Sequence, residues 1–156
     1  MKLAIASDHA GVDIKAMLRD TLRAEGHDVL DLGTHDHASC DYPDYAVLAA
    51  SKVAQSEVER AVLICGTGVG MAIAANKIRG VRAASVSEPV SAGLARSHND
   101  ANIVCLGARI VGPEMAVEIV RAFLSTPFSN GERHARRVAK IIKLDLTNDE
   151  DKAVYQ

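Results

Sequence analysis

The stretch AVLICGTGVG, residues 61–70, decides the fold. Its first half, Ala61–Cys65, is a continuous apolar run, as expected for a strand of a parallel sheet that is buried on both faces. Its second half is a turn with three glycines that leads into Met71–Lys77, a segment predicted to be helical. A buried strand followed by a glycine turn and a helix is typical of an α/β domain, and ligands bind such domains beyond the carboxyl ends of the strands.

The same alternation of strand and helix recurs on both sides of this stretch. The other predicted strands are Lys2–Ser7, Asp28–Leu32, Val81–Val86 and Ile103–Leu106. The other predicted helices are Gly11–Glu25, Asp41 to about Ser56, Pro89–Ser97, Pro113–Leu124 (with Met115, Ile119, Val120 and Phe123 on one stripe) and Glu132–Leu144. This pattern predicts a five-stranded parallel sheet between two helix layers. We expect a single domain over residues 1–144 and an acidic tail over residues 145–156.

Composition narrows the function. The chain has 156 residues, 48% of them hydrophobic, and a net charge of −2, so it is neither a disordered chain nor a broadly basic nucleic-acid-binding protein. No apolar run approaches the ~20 residues needed to cross a bilayer, and the first residues do not resemble a signal peptide. We therefore expect a cytoplasmic location. The three cysteines, Cys40, Cys65 and Cys105, form no CxxC pair, which argues against a disulfide framework and a zinc knuckle.

The glycine turn does not match the common nucleotide-binding motifs. In G-x-G-x-x-G counted from Gly66 the sixth position is Met71, and GxxxxGK[ST] is absent. What remains is Cys65 beside backbone N–H groups at a helix start, a setting that favours thiolate and could stabilise an oxyanion. The alternative, that Cys65 only fills the core, stays open on position alone.

Two polar clusters border strands. Asp8 and His9 follow the first strand, where His9 could bind phosphate or open a sugar ring, and Asp8 could equally be a helix cap. His98, Asn99 and Asp100 precede the fifth strand and are predicted to form a polar turn. That turn lies near the amino ends of the strands, so a functional role for it requires a partner subunit.

Two further groups are ambiguous. A basic helix face consists of Arg133, Arg136, Arg137 and Lys140, and it could clamp a phosphate or simply be solvated. The polar loop carries His35, His37 and Cys40, whose HxHxxC spacing is a weak zinc pattern, so we expect no metal site.

Taken together, these motifs resemble one family, the sugar isomerases of the ribose-5-phosphate isomerase type B and galactose-6-phosphate isomerase kind. The matching stretches are SDHAG (Ser7–Gly11), DYPDYA (Asp41–Ala46), CGTGVGMAIAANK (Cys65–Lys77), RAASVSEP (Arg82–Pro89), RSHNDANIVCLGARIVG (Arg96–Gly112) and Arg133-His134. The resemblance extends from the N-terminus to about Leu144 and is closest to the ribose type.

The resemblance implies a Rossmann-like αβα sandwich that forms a homodimer or a dimer of dimers, with active sites at the subunit interface. It implies interconversion of ribose 5-phosphate and ribulose 5-phosphate without metal or organic cofactor. The catalytic residues it implies are Cys65 as the base, Thr67 assisting it, and His98 opening the sugar ring. The substrate-binding residues it implies are Asp8, His9, Tyr42, Gly66, Gly70, Asn99, Arg109, Arg133 and Arg137, some of them from the neighbouring subunit.

Two positions bear on the transfer of these roles. Some family members use a glutamate directly after the last glycine of the loop, but Met71 stands there, so the cysteine version applies. Glu132 precedes Arg133, and its carboxylate could weaken or orient that arginine. Alternatives remain: another phosphosugar (allose 6-phosphate, galactose 6-phosphate or a tetrulose phosphate), or a non-catalytic phosphosugar-binding protein on the same fold.

Overall fold

A computed structural model describes residues 1–145. Five strands in this part of the chain form one parallel sheet in the order β2-β1-β3-β5-β4. The strands are β1 (Lys2–Ser7), β2 (Asp28–Asp31), β3 (Arg60–Cys65), β4 (Ala83–Ser85) and β5 (Ile103–Gly107). The predicted five-stranded parallel sheet is confirmed.

Helices cover both faces of this sheet. They are α1 (Val12–Ala24), α2 (Tyr42–Ala54), α3 (Val69–Ala75), α4 (Pro89–Asn99), α5 (Pro113–Ser125) and α6 (Glu132–Leu144). Helices α1, α4 and α5 pack on one face and α2 and α3 on the other, while α6 packs against α4. The expected acidic tail lies outside the described residues apart from Asp145.

Strand β3 lies at the centre and contributes to both apolar cores. Val62 and Ile64 point into the core under α1, α4 and α5, whereas Leu63 and Cys65 point into the core under α2 and α3. These four side chains are almost fully buried. A one-residue slip in register would exchange the two faces, so burial specifies the pairing that sets Ile64 beside Ser7 and Cys65 beside Gly107.

The prediction of a polar turn at residues 98–100 was wrong. Helix α4 continues through His98 and Asn99, and only Asp100 leaves it, in the left-handed region at φ 48°. The Arg96 side chain donates to Asp100 Oδ1 at 2.8 Å, and Arg82 Nη2 donates to Asp100 Oδ2 at 2.8 Å. A local pair with Arg96 and a tertiary contact with Arg82 together hold Asp100 at the helix end, so turn propensity alone did not decide where α4 stops.

Two smaller expectations also change. Helix α3 begins at Val69, two residues before the predicted start at Met71, because Gly68 takes φ 79° and caps the helix directly. In α5 Met115 does not belong to the apolar stripe, since it is 44% exposed and Ala116 is buried in its place. No helix within residues 1–145 is long and apolar enough to cross a membrane.

Candidate active site

Cys65 is the last residue of β3, and its side chain is 4% exposed. The backbone N–H of Gly68 donates to Cys65 Sγ at 3.1 Å. Only glycine fits at position 68, since φ is positive there and a Cβ would lie 2.9 Å from the carbonyl carbon of Leu106. The glycine turn therefore holds an N–H against the sulfur, which stabilises negative charge on it.

The other sulfur in this region differs in character. Cys105 on β5 is fully buried on the same face of the sheet as Cys65. Burial raises the pKa of the Cys105 thiol well above its usual range, and the neighbouring Cys65 raises it further. Cys105 is therefore a neutral core residue.

Arg109 and Tyr42 flank the glycine turn. The backbone N–H of Arg109 donates to the Gly66 carbonyl at 3.0 Å, and a Cβ on Gly66 would lie 3.4 Å from the Arg109 guanidinium carbon. The Tyr42 ring covers Gly70, where an added Cβ would lie 2.6 Å from Cζ. A cation and a phenol thus stand on two sides of the thiol's loop.

Thr67 does not contact Cys65 through a hydrogen bond in this structure. Its hydroxyl accepts from the Val69 N–H at 3.4 Å, at the start of α3. The contact with the sulfur comes from Gly68 instead. The expected assistance of Thr67 stays a prediction.

Asp8 and His9 lie beside Cys65, because the Asp8 N–H donates to the carbonyl of Ile64 at 3.1 Å. Asp8 Oδ1 accepts from the Ala10 N–H at 2.9 Å and caps a single 3₁₀ turn ahead of α1. The His9 ring receives the Cys40 N–H on Nδ1 at 3.3 Å. A neutral His9 must therefore carry its proton on Nε2, which leaves that atom as a donor for an anion.

The polar loop does not form a metal site. His37 Nε2 lies 3.4 Å from Asp13 Oδ1, while His35 Nδ1 lies 4.0 Å from Asp31 Oδ2. The backbone N–H of Cys40 donates to His9 Nδ1. Across residues 1–145 no three His, Cys, Asp or Glu side chains come together closely enough to hold a metal ion.

The remaining predicted site residues gather at the opposite edge of the sheet. Helix α4 runs back from the carboxyl ends of the strands, so His98 and Asn99 lie near the amino ends. Asn99 lines a cavity of about 430 Å³ between α4 and α6. Helix α6 packs on α4 and carries Arg133 and Arg137. One chain thus brings the Cys65 group and the His98 group to different ends of the molecule.

Sequence reasoning missed one residue of the second group. The rings of His98 and His134 are 4.2 Å apart between centroids. Partial burial lowers the pKa of His134, and the nearby His98, Arg133 and Arg137 lower it further. His134 belongs to a stretch that matches the isomerase family, but it lies off the Arg/Lys stripe of α6, and its contact with His98 follows only from the packing of α6 on α4.

Glu132 does not orient Arg133. Its carboxylate lies 3.8 Å from the Arg136 guanidinium, one turn along α6, and the side chain is 95% exposed. Arg133 instead donates toward His134 Nε2 at 3.3 Å. The carboxylate of Glu132 therefore faces Arg136 and not Arg133.

Comparison with known proteins identifies a family and several relatives of this chain. Residues 3–141 match the Ribose/Galactose Isomerase family. The chain is 45% identical over 144 residues to ribose-5-phosphate isomerase B of Escherichia coli, covering 92% of this chain and 96% of that one. It is 40% identical over 143 residues to the D-erythrulose-4-phosphate isomerase of Pectobacterium atrosepticum, covering 90% of this chain and 93% of that one.

A solved structure adds a bound sugar phosphate. The ribose-5-phosphate isomerase B of Mycoplasma genitalium, crystallised with ribulose-5-phosphate, superposes with a TM-score of 0.90. The two chains are 43% identical, and the match covers 94% of this chain and 97% of the other.

Proposed function

The chain belongs to the ribose/galactose isomerase family, and we propose that it interconverts ribose 5-phosphate and ribulose 5-phosphate with Cys65 as the base. It is an aldose–ketose isomerase, as its relatives are. The observation that carries the assignment of the base is the Gly68 N–H on Cys65 Sγ at the end of the central strand. Of the other two thiols, Cys105 is sealed in the core, and Cys40 lies in the loop before α2 instead of at the end of a strand beside the glycine turn.

The proton transfer runs between adjacent carbons of the open-chain sugar. The Cys65 thiolate takes the proton from C2 of the aldehyde, and the electron pair forms the C1–C2 double bond of an enediolate. Backbone N–H groups within residues 66–70, other than those of Gly68 and Val69 that donate to Cys65 Sγ and Thr67 Oγ1, stabilise the developing oxyanion. The thiol then returns its proton to C1, while the O2 proton passes to O1, and the ketose results.

His98 opens the furanose ring, and Asn99 assists in holding the enediolate oxygen. Asp8 and Tyr42 contact the sugar, and His9, Arg109, Arg133 and Arg137 bind the phosphate. Phosphate bound away from the reacting carbons positions them for the transfer. Because His98, Asn99, Arg133 and Arg137 lie at the opposite edge from Cys65, we propose a homodimer, alone or paired into a dimer of dimers, in which each site takes these four residues from the partner subunit.

The proposed reaction uses no metal and no organic cofactor, since a base, an acid and an oxyanion site suffice for it. A catalytic thiolate must stay reduced, which suits a cytoplasmic location.

A second candidate substrate is a four-carbon sugar phosphate. The 40% identity to a D-erythrulose-4-phosphate isomerase favours it, because proton transfer between C1 and C2 is independent of chain length. Six-carbon phosphosugars are a further alternative, and a non-catalytic sensor of phosphosugars is the remaining one.

A substrate panel in EDTA tests the proposal. The purified protein is assayed with aldose phosphates of four, five and six carbons, and we expect the highest kcat/KM with ribose 5-phosphate. A higher kcat/KM with a four- or six-carbon substrate would reject the assigned substrate. Binding of sugar phosphates by calorimetry without any turnover would reject the enzyme and favour the sensor.

A further inference from the structure

His134 connects two residues that the proposed function uses. Its ring packs against the ring of His98 at 4.2 Å between centroids, tilted by 38°. Its Nε2 lies 3.3 Å from Arg133 Nη2. The third contact is with Ser129, whose hydroxyl lies 2.8 Å from His134 Nδ1.

These contacts determine where the proton of His134 lies. A guanidinium can only donate, so Nε2 of His134 must accept from Arg133. A neutral His134 then carries its proton on Nδ1 and donates it to Ser129 Oγ. A doubly protonated ring would set an N–H against the Arg133 N–H groups, so the arrangement requires the neutral ring.

Ser129 is itself held to the helix that carries His98. Its backbone N–H donates to the carbonyl of Ser97 at 3.0 Å, and its hydroxyl accepts from the Gly131 N–H at 3.3 Å. Ser129 thereby ties the segment before α6 to the last turn of α4. The network joins Ser97, Ser129, His134 and Arg133, with the His98 ring resting on it.

We propose that His134, held by Ser129 as the neutral Nδ1–H tautomer, is a positioning residue that orients the His98 ring and the Arg133 guanidinium together. This inference rests on the proposed function, since it concerns how His98 and Arg133 are aimed. The contacts of His134 with Ser129, Arg133 and His98 are made within one chain, so they do not require the partner subunit.

The positioning matters because both residues must reach across a subunit boundary. A long Arg side chain loses conformational freedom when it binds phosphate, and a preset hydrogen bond removes part of that cost. A neutral His134 also places no positive charge beside the His98 ring. A second cation at that position would oppose protonation of His98.

Nuclear magnetic resonance tests the tautomer without any substrate. Protein labelled with ¹⁵N-histidine is examined near neutral pH, with the His134→Asn variant assigning the resonances. We expect His134 to show a protonated Nδ1 and an unprotonated Nε2. A protonated Nε2, or a doubly protonated ring, would overturn the proposal.

Steady-state kinetics test the consequence. In His134→Asn we expect kcat to fall by roughly ten- to a hundred-fold and KM to rise, since misplacing catalytic groups by an ångström has effects of that size. Ser129→Ala should lose activity in the same direction, and Ser129→Thr, which keeps the hydroxyl, should recover it. Arg136→Gln on the same helix is the matched control and should leave both constants within a few-fold.

The positioning role of His134 and the proposed isomerase function would be rejected by different results. A lower thermal midpoint with unchanged kcat and KM in His134→Asn and Ser129→Ala would make the network merely structural and reject positioning. An inactive wild type across the sugar panel would reject the proposed function, while the ¹⁵N spectra would still report on the tautomer.

Discussion

Cys65 Sγ accepts the backbone N–H of Gly68 at 3.1 Å, so the end of the central strand and the start of α3 meet at one sulfur atom. The glycine that supplies this N–H is held at φ 79°, where a side chain is strained. The hydrogen bond to the Cys65 thiol therefore depends on the left-handed backbone conformation of Gly68.

Gly68→Ala should remove this contact. The left-handed backbone of an alanine costs roughly 1–2 kcal/mol, and its Cβ would meet the Leu106 carbonyl carbon at 2.9 Å. We expect a lower thermal midpoint and a kcat reduced by at least ~10-fold. Gly80→Ala is the control, because Gly80 has φ 83° but open space around its Cβ position. It should lose stability and keep kcat; equal kcat in the two variants would contradict the account.

Cys40→Pro should weaken phosphate binding through His9. Proline has no N–H, so the donor to His9 Nδ1 at 3.3 Å is lost and the ring can take the other tautomer. We expect KM to rise several-fold with a smaller change in kcat, measured by initial rates. Cys40→Ala keeps the backbone donor and should match the wild type. A loss of the same size in Cys40→Ala would assign the effect to the thiol instead.

Asp31→Asn should destabilise the fold. Lys15 is 1% exposed and its ammonium lies 2.5 Å from Asp31 Oδ1, so the variant leaves a buried charge unpaired. The expected loss in urea unfolding is about 3 kcal/mol, the low end for breaking a buried pair. The exposed partner of Arg19 provides the control, and Asp20→Asn should change stability little.

The same carboxylate gives a pH dependence of stability. Burial alone would raise the pKa of Asp31, but the hydrogen bond and charge of Lys15, the Gly33 N–H and Arg19 hold it below the ordinary value of 3.8. The stabilisation is therefore complete above about pH 4 and is lost as the pH falls through the lowered folded-state value. Urea titrations at several acidic pH values should show a shallower acid decline in Asp31→Asn. An unchanged decline would show that this pair is not responsible.

Mixed dimers test whether the site is shared. Cys65→Ala and His98→Asn should each be nearly inactive, but random pairing of the two chains restores one complete site in each mixed dimer. Half of the dimers are mixed, so the activity should return to about a quarter of wild type. A mixture that stays inactive would place both residues in the same chain's site.

Much of the fold could be predicted from the sequence, and the reason differs from one helix or strand to the next. The apolar run at Ala61–Cys65 marked the central strand because both its faces are buried, and α6 was predicted with the bounds that the structure has. The end of α4 was not predictable from its own sequence alone, since Arg82, from the segment before β4, holds Asp100 together with Arg96 of α4 itself.

In the candidate site, too, some residues could be predicted from the sequence and others could not. Cys65 and Asp8 could be singled out because topology sends strand ends and the loops after them to one edge of the sheet, whereas Arg109 was named only by the resemblance to the isomerase family. The role of Gly68 as the donor to the sulfur, and the contact of His134 with His98, depend on atomic packing. No spacing rule along the chain records such contacts.

The central claim is that Cys65 transfers the proton, and the kcat of Cys65→Ala on ribose 5-phosphate tests it most directly. Cys105→Ala serves as the control, because burial, and then the nearby Cys65, raise the pKa of the Cys105 thiol and keep it neutral in the core. The account predicts a loss of at least ~10²-fold in Cys65→Ala, the size expected for removing a general base, and near-normal kcat in Cys105→Ala. A folded Cys65→Ala protein that retained near-normal kcat would contradict it.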